Sequence, residues 1–116
     1  MRAKLLARRA TRVRPGFDDK VLADWNGLMI AALAKAAETF NKSQWLAAAE
    51  AAFAFVSTKM ISHGRLMHAY RAGEAKAPAT ANDYANMIRA ALALADITGK
   101  RAYVERAREW VEILDK

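Results

Sequence analysis

Cysteine is absent from this 116-residue chain. That excludes disulfides, thiolate metal sites and a cysteine nucleophile, and it leaves no thiol redox chemistry on these residues. The absence fits a reducing compartment, and a cytoplasmic location is expected. Glycine occurs only five times and is too dispersed for a phosphate-cradling or dinucleotide-binding loop. No apolar run is long enough to cross a bilayer, and no secretory leader opens the chain, so no membrane partner is expected. The only two histidines, His63 and His68, stand five apart in a loop with no matching carboxylate. That is a poor metal signature, so neither a metal nor a cofactor is expected. No Ser/His/Asp pattern of a nucleophilic hydrolase is evident.

Alanine, by contrast, makes up about a quarter of the residues. With proline limited to two positions, this favours closely packed helices over sheet, because alanine has the highest intrinsic helix propensity. The formal charge is +7, but residues 1–20 hold seven Lys/Arg against two Asp and so carry five of those charges. Basicity is therefore a property of the N-terminal arm, read as the tail of a helix. A nucleic-acid-binding arm is the weaker reading, since no later helix shows a basic stripe.

Four helices are predicted, at about 19–40, 44–60, 82–98 and 101–115. The first carries an apolar stripe of Val21, Leu22, Trp25, Leu28, Met29, Ala32, Leu33 and Ala36. Short turns at Asn41-Lys42-Ser43 and Thr98-Gly99-Lys100 force antiparallel neighbours, pairing first with second and third with fourth. A shift of 58 residues lays Met29-Ile30 on Met87-Ile88, Trp45-Leu46 on Tyr103-Val104 and Ala49 on Ala107, an internal repeat of helical hairpins. Between the copies, Arg65–Arg71 alternates polar and apolar residues between Gly64 and Gly73, which hints at a small β-hairpin in the 62–81 loop. The expected organisation is one domain: a basic arm at 1–17, hairpin one at 18–60, a loop at 61–81 and hairpin two at 82–116. Two hairpins are fewer than a stacked repeat normally needs, so their open faces call for further hairpins or a second copy of the chain.

Several runs resemble the helical part of the thioredoxin-domain-containing, spermatogenesis-associated protein-like family. They are Arg12-Val13-Arg14-Pro15, Asp18-Asp19-Lys20-Val21-Leu22, Trp25-Asn26-Gly27-Leu28-Met29-Ile30, Gly64-Arg65-Leu66, Tyr70-Arg71 and Asp83-Tyr84-Ala85. The resemblance implies an all-α fold, two antiparallel hairpins of a partial (α/α)6 toroid similar to N-acylglucosamine epimerases and six-hairpin glycosidases. It also implies a fragment that lacks the thioredoxin part and has no activity alone. One departure is Asn82-Asp83, where an acidic pair is expected before Tyr-Ala.

In such a toroid, groups at the starts of the inner helices gather at the mouth of a funnel. Asp18, Lys20, Trp25, Asn26, Arg71 and Tyr84 are the candidate substrate-binding residues, and Asp19 with Asp83 the candidate catalytic carboxylates. Aromatic faces stack on sugar C–H surfaces and Asp, Asn and Arg fix hydroxyls, so a carbohydrate-like ligand is expected. Glycoside hydrolysis would need the two carboxylates about 5–10 Å apart. Each residue also has a plainer reading: Asp18, Asp19 and Asp83 as helix caps, Trp25 as core. The competing function is a small helical interaction module that homodimerises through its apolar hairpin faces.

Overall fold

A computed structural model describes residues 1–116. Its elements are α1 (Arg2–Ala10), β1 (Val21–Leu22), α2 (Ala23–Thr39), α3 (Ser43–Lys59), β2 (Ile61–Ser62), β3 (Arg65–Arg71), β4 (Glu74–Pro78), α4 (Ala81–Thr98) and α5 (Arg101–Leu114). Helix accounts for 65% of the chain and strand for 14%. The expectation of an all-α toroid segment is thus corrected: the fold is mixed, with a four-stranded antiparallel sheet lying across one end of the helices.

The sheet arises from local turn chemistry. His63 and Gly64 both take positive φ (49° and 76°) between β2 and β3, and Ala72 and Gly73 do so (52° and 82°) between β3 and β4. Two consecutive left-handed residues make the tight turn whose twist matches that of a hairpin, so β3 is clamped from both ends. Ser62 pairs with Arg65 across the first turn and Arg71 with Glu74 across the second. β1 joins the far side of β3, with Val21 opposite Tyr70 and Leu22 opposite Ala69. The first long helix therefore begins at Ala23 rather than near 19, because residues 21–22 are held extended in the sheet.

The helices reproduce the repeat in their boundaries. α2 and α4 start at 23 and 81, and α3 and α5 at 43 and 101, each 58 apart. The linking turns match too: Asn41 (φ 52°) and Gly99 (φ 69°) are equivalent positions and both left-handed. Glycine and asparagine are the residues that tolerate this conformation most readily. α2 packs on α3, α4 on α5, and α2 and α4 lie side by side.

That α2–α4 seam is close. A methyl group built on Gly27 would sit 2.6 Å from the backbone carbonyl carbon of Asn86 and 2.7 Å from its oxygen. The buried residues of α2 are Ala23, Gly27, Ile30, Ala31, Ala34 and Ala37, not the predicted stripe. Trp25, Leu28 and Met29 of that stripe are exposed. α2 is apolar nearly all round, and the face that packs is the one whose small side chains let two backbones approach. The core otherwise gathers Phe53, Val56, Met60, Leu66, Met87, Leu94 and Trp110, with Phe53 edge-on to Tyr103 at 5.2 Å. Residues 1–20 are exposed throughout, so the basic arm, including α1, adds nothing to the core.

Candidate functional site

The end of the molecule where the sheet meets the N-termini of α2 and α4 holds its one buried charged group, Asp83, with no exposed surface. The sequence around Asp83 makes it a helix cap. Thr80 precedes α4, its side-chain oxygen accepts from the Asp83 amide at 3.4 Å, and Asp83 Oδ2 accepts in return from the Thr80 amide at 2.7 Å. This is a capping box with aspartate in the position usually taken by glutamate. Thr80 Oγ1 also donates to Oδ2, at 2.9 Å.

Asp83 serves a second helix as well. The equivalent N-cap position of α2 is Leu22, whose side chain has nothing to offer, and the Asp24 amide donates instead to Asp83 Oδ1 at 3.0 Å. One carboxylate thus satisfies orphan amides of two adjacent helices, where both positive dipole ends favour negative charge.

The third element to reach Asp83 is β3. Alternation along the strand puts Leu66, His68 and Tyr70 on one face, and all three meet the helices. Leu66 is buried and its amide donates to the Tyr84 hydroxyl at 3.0 Å; Tyr70 stacks edge-on against Phe55 at 5.0 Å. His68, between them, brings Nδ1 to 3.0 and 2.9 Å from the two oxygens of Asp83. A carboxylate only accepts, so Nδ1 is the protonated ring nitrogen of this pair and Nε2 is left free. The half-buried Asp24 completes the group: one donor atom from each of Asp24, His68 and Asp83 lies within 4.8 Å of the others. The Asp24 carboxylate itself accepts from the Trp25 amide at 2.8 Å. Such a group can position an imidazole for proton transfer or offer mixed oxygen and nitrogen ligands to a cation.

The predicted site residues fall into three sets. Asp83 is central, and Trp25 stands 68% exposed beside Asp24. Asp18, Asp19, Lys20 and Arg71 are surface residues: Arg71 pairs with Asp19 at 2.6 Å and Lys20 with Asp18 at 3.5 Å. Neither Asp18 nor Asp19 caps a helix, since α2 starts four residues past Asp19. Asn26 and Tyr84 do structural work, the Asn26 amide donating to the Leu22 carbonyl at 2.9 Å and Tyr84 lying in the core. Asp19 and Asp83 are not brought into contact. Their partners Arg71 and His68 are three residues apart on β3, hence about 10 Å along the strand and on opposite faces.

Sequence reasoning gave Asp24 no role and set His68 aside for want of a matching carboxylate, which the fold supplies in Asp83. The signal that could have found His68 is the alternation of β3 itself, which sets it on the same face as Leu66 and Tyr70. A shallow pocket on the opposite face of the sheet, lined by Lys20, Ala69, Arg71, Ala72 and Lys76, holds cations that are each already paired, Lys76 with Glu74.

No helix is long and apolar enough to cross a membrane. No protein-family model matches the chain. It is 30% identical over 115 residues to an uncharacterized protein of Caenorhabditis elegans. That similarity takes in 92% of this chain, which spans about 16% of the length of the curated relative it matches.

Proposed function

We propose that this chain works as a segment of a longer helical protein of the thioredoxin-domain-containing type, where the ends of α2 and α4 form one wall of a cleft for a carbohydrate-like ligand. The observation that carries this reading is Trp25. An indole 68% exposed in the first turn of an alanine-rich helix, one residue after Asp24, which groups with His68 and Asp83, is an apolar stacking surface on the helix end that carries hydrogen-bonding groups. Asp19 and Arg71, paired with each other on the opposite face of β3, take no part in this wall. The experiment is ligand-observed saturation-transfer NMR against a panel of mono- and disaccharides, repeated with Trp25→Ala. At least one saccharide should receive saturation from the parent and lose it in W25A. Absence of transfer to every saccharide at millimolar concentration, or transfer unchanged in W25A, would refute the proposal.

A second reading, association through an apolar face, is favoured by a different observation. The 58-residue repeat lays Ala32 on Ala90 and Ala34 on Leu92; Ala90 and Ala34 are buried at the α2–α4 seam while Ala32 and Leu92 are exposed. A groove of about 640 Å³ lies between α2 and α4, its apolar lining of Leu28, Ala31, Ala32, Ala36 and Ala93 shared with Lys35, Thr39 and Arg89. Light scattering over a hundredfold concentration range, with Leu92→Glu as the comparison, separates self-association from a monomer that presents this face to other parts of a longer chain.

A further inference from the structure

We propose that Asp24, His68 and Asp83 form a binding site for a divalent transition-metal ion of borderline hardness, of which Zn²⁺ is the probe. The three side chains come from three separate elements, α2, β3 and α4, and their donor atoms already lie within 4.8 Å of one another. His68 Nδ1 is 2.9–3.0 Å from the Asp83 oxygens. Two ligands of one tetrahedral zinc, each bound at about 2.0–2.1 Å, stand about 3.3 Å apart, so this pair is near ligand spacing, and the imidazole turns to aim Nδ1 at the ion instead of at the carboxylate. The Asp24 carboxylate is the farther ligand and closes by about 1.5 Å through its own side-chain torsions.

Charge points the same way. Two carboxylates share this small volume, one of them fully buried, and neither has a lysine or arginine partner. The cations nearest along the chain are committed elsewhere, Lys20 to Asp18 and Arg71 to Asp19. The helix N-termini hold both carboxylates, Asp83 through the capping box of α4 and Asp24 in the first turn of α2 through the Trp25 amide, with no side-chain cation on either. The bonds from the Thr80 amide, Thr80 hydroxyl and Asp24 amide have the form of the outer hydrogen bonds that orient ligating carboxylates; Oδ2 takes two of them and Oδ1 one, so the position on Oδ1 now facing His68 Nδ1 is the one a cation would take.

On binding, the ion replaces the proton that His68 Nδ1 shares with Asp83. With Nδ1 on the ion, the ring proton is carried on Nε2, the other tautomer. Three protein ligands leave a fourth position open, the pattern of an ion that is accessible to a small molecule rather than sealed in for structure.

The test is titration of the metal-free full chain with Zn²⁺ and no saccharide present, by calorimetry and by ¹⁵N NMR of the histidine rings, so its outcome is separate from that of saccharide binding. Asp83 caps two helices, and its variants are set aside in favour of His68→Gln and Asp24→Asn. Only the backbone amide of Asp24 bonds to Asp83, so D24N spares that contact. One Zn²⁺ should bind per chain, the His68 ring nitrogens should report the tautomer change while those of His63 do not, and each variant should weaken binding at least tenfold. Absence of one-to-one binding at millimolar Zn²⁺, perturbation of His63 in place of His68, or an affinity in D24N or H68Q equal to the parent's overturns the proposal.

Discussion

Gly27→Ala tests the packing that brings the two helix ends together. On helix propensity alone the substitution stabilises by about 1 kcal/mol. The new Cβ, however, would lie 2.6 Å from the Asn86 carbonyl carbon, 2.7 Å from its oxygen and 2.9 Å from the Met87 nitrogen. These are backbone atoms in mid-helix and cannot rotate aside, so α4 has to retreat by about 0.8 Å to restore ordinary contact. A gap of that size forfeits a quarter to a half of each dispersion contact along the seam, where Ala34, Met87, Ala90 and Leu94 are buried. The cost sits at the upper end for overpacking, about 3 kcal/mol. Net destabilisation is about 2 kcal/mol, or a fall in Tm of about 8 °C for a chain of this size. Urea and thermal unfolding followed by circular dichroism at 222 nm measure it. A G27A protein as stable as the parent would refute the close approach of α2 and α4.

Two further expectations concern single groups. Asp83→Asn puts an amide N–H₂ against amide donors of Thr80 or Asp24 and removes the charge between two helix ends, which should cost about 3 kcal/mol. Hydrogen exchange at the Asp24 and Thr80 amides should quicken beyond the global loss, and unchanged protection there would show that Asp83 is not the shared cap. Burial, reinforced by the hydrogen bond that the Tyr103 hydroxyl donates to Glu50 at 2.8 Å, pushes the Tyr103 phenol up to about 12. Because the folded value exceeds the unfolded one, near 10, this contribution to stability is fully present below pH 10 and is lost as pH rises through about 12. Absorbance titration at 295 nm should show a phenol ionising near pH 12 that disappears in Tyr103→Phe; ionisation of all three tyrosines near pH 10 would contradict it.

Local rules in the sequence were enough to determine the four long helices, their antiparallel pairing and the 58-residue repeat. Turn spacing and alanine content act over a few residues and need no partner. The same holds for the turns, where Asn41 and Gly99 supply left-handed residues at equivalent places. Tertiary structure alone decided the rest. Which face of α2 is buried depended on the approach of α4 to Gly27, and in a helix apolar on most sides periodicity does not distinguish a stripe of large side chains from one of small ones. The sheet was half legible: alternation in 65–71 and its flanking glycines mark β3, but β1 at Val21–Leu22 is too short to carry a pattern and exists only because β3 lies beside it. The site was least legible, since Asp24, His68 and Asp83 are separated by 44 and 15 residues and meet only when a strand and two helix ends converge. Asp83 read from its neighbours is a cap, and it is one. That it caps a second helix and holds a histidine follows from Leu22, which leaves α2 without a cap of its own and its first amides in need of an acceptor from elsewhere in the fold.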